Sequence, residues 1–142
     1  MPGEPGFTPD RELAVEATLK ALDAAGFPGP VIVSSFNPRS IARSRQLRPE
    51  VPTGLLTSYE VDAAEALSRA VREGHPWVLP FVTKVLDASD GFADRVHRGG
   101  ALLGVWIADD PETSRRLFEL GADAVATNDP RAIVPIRDEV AR

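Results

Sequence analysis

Apolar positions along this chain alternate between two patterns. Val15, Leu19 and Leu22 recur at helical spacing, and a short β-branched run, Val31-Ile32-Val33, follows. The first pattern is that of a helix stripe and the second that of a strand buried on both faces. Thr8 and Pro9 supply an N-cap and a first helical position, Asp10 and Glu12 suit the positive end of the helix dipole, and Gly26, Pro28 and Pro30 stop the run. A helix is therefore predicted over 9–25 and a strand over 31–33.

The cycle repeats. Asn37-Pro38 opens a helix carrying Ile41 and Leu47 that stops at Pro49, and a short strand is predicted over 53–57. Ser58 is the expected cap of a third helix, whose Ala63, Ala66, Leu67, Ala70 and Val71 form a narrow apolar stripe ending at Gly74. A strand over 77–81 is interrupted by Pro80, and residues 87–91 are irregular. A short helix over 92–98 and a strand over 102–107 are separated by Gly99-Gly100. Asp110-Pro111 opens a helix ended by Gly121, a last strand spans 122–127, and Asp129-Pro130 opens the terminal helix. Apolar strands alternating with helices define an α/β protein with a parallel sheet. This cadence fits an open doubly wound sheet and part of a (β/α)8 barrel equally well.

Composition narrows the picture. With 142 residues, 43% of them apolar and 26% charged, the chain suits one globular domain. A net charge of -5 with scattered basic residues argues against a nucleic-acid surface. The loose cluster Arg39, Arg43, Arg45 and Arg48 is expected to be a solvated helix face. The absence of cysteine removes disulfides and thiolate chemistry. No leader-like start and no membrane-length apolar run occur, so the expected location is cytoplasmic.

Three segments carry the chemistry: Val31-Ile32-Val33-Ser34-Ser35-Phe36, Val105-Trp106-Ile107-Ala108-Asp109-Asp110-Pro111, and Gly121-Ala122-Asp123-Ala124-Val125-Ala126-Thr127-Asn128-Asp129-Pro130. With Gly54-Leu55-Leu56 and His75-Pro76 between them, they resemble, in order and approximate spacing, the glycerophosphodiester phosphodiesterase family. There a strand ending in Ser-Ser-Phe, one ending in Trp-Thr-Val, and a Gly-Val-Asp-x-Ile-x-Thr-Asp-x-Pro segment close the second half of the barrel. Ile107 and Ala108 depart from that pattern, where Thr and Val are usual.

The resemblance implies the last four or five strands of a (β/α)8 TIM barrel of phosphodiesterase type, incomplete as given. The family's activity is metal-dependent hydrolysis of glycerophosphodiesters to glycerol 3-phosphate and an alcohol, a step of glycerophospholipid metabolism. The complete domain would use a divalent cation, calcium or magnesium, and no cofactor is assigned to this chain. Residues 1–142 then form a partial domain, with 1–7 as the loop after the family's Glu-x-Lys strand. The family's His-Arg-Gly, acidic pair, second His and Glu-x-Lys all lie upstream of Ser-Ser-Phe, so no catalytic or metal-binding residue is expected here and the chain alone is expected to be inactive. His97-Arg98-Gly99 spells the catalytic tripeptide but follows a helix and is read as structural. His75 is read as a solvent-side loop residue.

Trp106, Ser35 and Thr127 each end a strand, where a parallel barrel places its ligand-facing loops, and are the candidate substrate-binding residues. In the family the Trp position lines the pocket near the glycerol moiety. A packed core tryptophan is the competing reading. Helix capping accounts for Asp110 and Asp129. The partners implied are a glycerophosphodiester, once an N-terminal half completes the barrel, and that missing half itself. The alternatives are one half of a two-chain enzyme and a non-catalytic binding or interaction module. A half barrel leaves unpaired strand edges, so homo-oligomers are also expected.

Overall fold

The computed structural model describes residues 13–141. The expected cap at Thr8-Pro9 and the loop over 1–7 lie outside them. Seven helices and five strands alternate among the described residues, beginning with α1 (Leu13–Ala25), β1 (Val33–Ser35), α2 (Pro38–Leu47), β2 (Thr53–Leu56), α3 (Ala63–Glu73) and β3 (Trp77–Leu79). Then come α4 (Val82–Leu86), α5 (Phe92–Arg98), β4 (Leu102–Val105), α6 (Pro111–Glu119), β5 (Ala124–Val125) and α7 (Pro130–Val140). The strands pair in parallel in the order β1-β2-β3-β4-β5. Strand order that follows chain order without reversal is the winding of a (β/α)8 barrel, whereas a doubly wound sheet reverses at a switch point.

Local chemistry sets most boundaries. Asn37, Asp110 and Asp129 each accept a backbone N–H from the first turn of α2, α6 and α7, at 3.0, 2.7 and 3.3 Å. Each such cap contributes about 1 kcal/mol. Gly74 closes α3 in the left-handed region, φ 76°, where a side chain would be strained.

Several expected boundaries move. Strand β1 begins at Val33 rather than Val31, because Val33 pairs with Thr53 and its N–H donates to the Pro52 carbonyl. One step earlier the facing residue is Pro52, which has no N–H for a ladder. Ser58 does not cap α3: its Oγ accepts from Glu60 N in a local turn, and the helix starts after Asp62. Pro80 ends β3, and Phe81 keeps one bridge, to Trp106, which itself lies just past β4. Helix α4, only five residues long, was not anticipated.

The arginine cluster is solvent-facing at Arg39 and Arg45, as expected, and also acts as a clamp. Arg43 pairs with Glu16 at 3.3 Å and Arg48 with Asp23 at 2.7 Å, tying α2 to α1, while Arg45 donates to the Glu73 carbonyl at the end of α3.

Parallel register puts paired residues on one side of the sheet. One side carries Leu55, Val78, Leu103 and Val105, packed with Ile41, Ala66, Ala70, Val85, Val96 and Leu117 of the helices in a single core. The alanines of α3 let it approach closely. The other side carries the rows Ser34-Gly54-Trp77-Leu102 and Leu56-Leu79-Gly104-Ala124. No helix of the core cluster packs there.

Candidate functional site

The C-terminal ends of the strands gather an aromatic cluster. Trp106, after β4, meets Phe36, after β1, edge to face with ring centroids 5.2 Å apart, and meets Phe81, after β3, at 4.9 Å. Tyr59, after β2, extends the series to Phe81 at 6.2 Å. Edge-to-face pairs at these separations are favourable beyond their buried area. The Trp106 indole N–H donates to the Thr57 carbonyl at 3.1 Å, fixing the ring across the rim. Trp106 is half-buried, its neighbour Phe36 is exposed, and so is Tyr59 beyond Phe81. The indole is thus held by packing on one side and open on the other.

Ser35 and Thr127 stand at the same end of the sheet, with different commitments. Ser35 shares the helix-facing row with Leu55, and its Oγ accepts from Asn37 N at 3.0 Å, which leaves its O–H free to donate. Thr127 donates to Asp109 Oδ1 at 2.9 Å and accepts from Asp129 N at 3.0 Å. Among the described residues no hydrogen bond joins Ser35 or Thr127 to Trp106.

Asp109 is the rim residue that the sequence left unexplained. Its two oxygens take Thr127 Oγ1, Asn128 N and Asn128 Nδ2, bracketing the loops after β4 and β5. The Asn128 side chain first, then its backbone N–H and Thr127, hold this carboxyl below its ordinary value. The available signal was the adjacency of two strands, each followed by polar loop residues, with Val105 in register with Val125.

At the opposite end of the sheet, His97 closes α5 and its Nε2 donates to Asp123 Oδ2 at 2.7 Å. The same oxygen accepts Leu103 N at 2.7 Å, so this pair fastens the start of β4. His75 corrects the expectation of a solvent-side loop residue. It is 4% exposed, its Nδ1 lies 2.8 Å from the hydroxyl of buried Thr53, and its Nε2 stands 3.4 Å from Glu73 Oε2. Pro76 after it suggested a loop, but the backbone N–H of His75 returns to Ala70 O and draws the ring under the sheet.

The donor set does not suit the divalent cation that the resemblance implies. Among the described residues no three His, Asp or Glu side chains group as metal ligands. Asp110 and Asp129 cap helices, Asp109 is taken up by the Asn128 loop, and Asp123 by Leu103 and His97. Among the same residues no helix is long and apolar enough to cross a membrane.

A sequentially ordered parallel sheet, with helices packed on one side and an aromatic rim at its C-terminal strand ends, is an arc of a (β/α)8 barrel. The model of the glycerophosphoryl diester phosphodiesterase family matches residues 4–132, and the chain belongs to that family. A glycerophosphodiester phosphodiesterase of Caldanaerobacter subterraneus subsp. tengcongensis is 27% identical over 119 residues, which are 84% of this chain and 47% of that relative. Among solved structures, a glycerophosphodiester phosphodiesterase of Parabacteroides distasonis superposes with a TM-score of 0.73 at 20% identity, over 97% of this chain and 56% of that one. An Oleispira antarctica phosphodiesterase, in complex with its product sn-glycerol-3-phosphate, does so with a TM-score of 0.70 at 19% identity, over 87% of this chain and 49% of that one. The chain spans about half the length of the relatives it matches.

Proposed function

We propose that this chain is the substrate-binding wall of a barrel that hydrolyses glycerophosphodiesters to glycerol 3-phosphate and an alcohol, and that it does not catalyse the reaction alone. The observation that carries this reading is Trp106, fixed by Thr57, Phe36 and Phe81 at the strand ends with its ring half open. An apolar ring face suits the carbon skeleton of a glycerol moiety, whereas Ser35, in the helix-facing row, would act through the turn it holds at Asn37. Thr127 would act through the loop it shares with Asp109 and Asn128, since its own hydroxyl is committed.

Cleavage of a phosphodiester needs a general acid and base and neutralisation of phosphoryl charge. At this rim the carboxylate of Asp109 is engaged in loop hydrogen bonds, and both histidines lie toward the other end of the strands. Activity would therefore come from the part of the barrel to which the rest of the relatives' length corresponds. The protein would work in glycerophospholipid turnover, in the cytoplasm, as residues 1–142 of a partial barrel domain.

The test is release of glycerol 3-phosphate from a glycerophosphodiester by the purified chain, with calcium or magnesium added. No release above background is expected, and turnover would sink the inactive reading. In a Trp77→Phe background, sn-glycerol 3-phosphate should quench Trp106 fluorescence; an unchanged signal up to solubility removes Trp106 from the binding wall.

A further inference from the structure

We infer that a cavity bounded by the entry to α2, the end of β2 and the wall of α3 is a binding site for a small hydroxylated anion, a phosphate monoester or a hydroxycarboxylate, and that its occupancy alters the surroundings of Trp106. This rests on the cavity itself and does not depend on the hydrolase reading.

The position comes first. The cavity has a volume of about 540 Å3, within the range of roughly 300–1,000 Å3 usual for small-molecule sites. It is lined by Leu55, from the helix-facing row of β2, and by Arg69, Arg72 and Glu73 from the second half of α3. The site thus reaches the layer between strands and helices, away from the face that a closed barrel turns inward.

The lining selects the ligand. Five of its ten residues are polar, too many for the chain of a lipid. Two guanidiniums stand against one carboxylate, a positive balance in a protein whose net charge is -5. Arg69 is paired with Glu65, one turn before it. Arg72 is exposed and has no hydrogen bond or ion pair among the described residues, so its planar fork is available to a phosphate or carboxylate. Glu73 Oε2 stands 3.4 Å from His75 Nε2, and its other oxygen is an acceptor for a ligand hydroxyl.

Toward the strand ends, Thr57 is 4% exposed and its Oγ1 is buried without a hydrogen-bond partner. A buried hydroxyl left unsatisfied is costly, and an occupant rich in oxygen removes that cost. Ser58 Oγ accepts from Glu60 N, and its O–H remains to donate. Donors therefore predominate along the lining, with one acceptor among them, and an anion carrying hydroxyl groups answers both.

Two residues of this lining also support Trp106. Thr57 offers its carbonyl to the indole N–H at 3.1 Å, and Phe36 packs on the ring with centroids 5.2 Å apart. An occupant that orders Thr57 and Phe36 changes the environment of the indole without touching it.

The test titrates the chain calorimetrically with ribose 5-phosphate and with gluconate, beside inorganic phosphate and free ribose. One of the two hydroxylated anions should bind once per chain, and the tighter of them assigns the anion. Phosphate and ribose should each bind at least about tenfold more weakly, since each lacks one half of the recognition. Arg72→Gln, an exposed change in the last turn of α3, should weaken binding at least about tenfold, and Thr57→Val about fivefold. Arg98→Gln removes an equal charge at the end of α5 and should leave the affinity unchanged. In a Trp77→Phe chain the bound anion should shift the emission of Trp106. Absence of saturable binding by either anion overturns the inference, as does binding that survives Arg72→Gln or falls equally with Arg98→Gln. Emission that stays fixed at saturation overturns the link to Trp106. Turnover is not read, so an inactive chain that binds either anion keeps this site whatever becomes of the proposed function.

Discussion

Leu102 and Leu103 are neighbours in β4, yet Leu103 is 1% exposed among the helices and Leu102 is 40% exposed on the other side of the sheet. The pleat sends successive side chains to opposite faces, so one strand serves two environments. The helix-covered face is complete within this chain. Leu55, Val78, Leu103 and Val105 meet apolar partners from α2, α3, α5 and α6, and each is nearly inaccessible. The open face is apolar in composition but unfinished in packing. Stability in this chain therefore resides in the layer between strands and helices, while the surface that a closed barrel would turn inward contributes less than its sequence suggests.

The sharpest way to break that contrast is to shorten the two leucines in turn. Leu103→Ala should cost about 2–5 kcal/mol, since it removes a buried side chain from a packed core and leaves a cavity. Leu102→Ala, with much of its side chain already in water, should cost less than about 1 kcal/mol. Urea unfolding of the two variants checks both numbers. Equal losses would mean that the open face is covered in solution by something other than the helices.

Much of this architecture was legible along the chain. The caps at Asn37, Asp110 and Asp129 act within their own first turns, and the αL stop at Gly74 is local too. The order of strands and helices followed from the same punctuation. Strand ends were less legible, because they depend on a neighbour: β1 starts where Pro52 ceases to face it, and β3 and β4 shorten where Pro80 and Trp106 leave the ladder. At the site, the motif placed Trp106 at a strand end, but its partners Phe36 and Phe81 come from two other strands. The Asp109 bracket and the burial of His75 are also contacts between distant segments, and no local pattern announces them.

Glycine substitution probes the open face from within. At Gly54 an added Cβ would fall 2.3 Å from Leu79 Cδ1, the flexible end of a half-buried side chain. Gly54→Ala should therefore cost about 1–3 kcal/mol, as moderate overpacking does, and Leu79→Ala in the same chain should recover part of that loss. A double-mutant cycle by chemical denaturation measures the coupling. Strictly additive losses would show that Leu79 swings clear without cost, leaving the open face still looser than its packing implies.

The smallest expected effect belongs to His75, on the helix side of the comparison, and appears as a slope with pH. Burial lowers its pKa below the ordinary value near 6.5, Arg45 lowers it further, and Glu73 opposes both. Thr53, Glu73 and Arg45 are the groups that meet the ring or its charge. Folding thus favours the neutral imidazole, and the unfolded chain takes up the proton more readily. The contribution is fully present above the unfolded pKa, declines as pH falls through that value toward the lowered native one, and then levels off. Urea midpoints should fall between about pH 7.5 and about pH 5.5, where unperturbed carboxylates remain ionised. Subtracting the same series for His75→Asn isolates this residue from His97. A difference curve that is flat, or that rises on acidification, would mean that the ring is hydrated in solution and that the floor of the sheet is as open as its inner face.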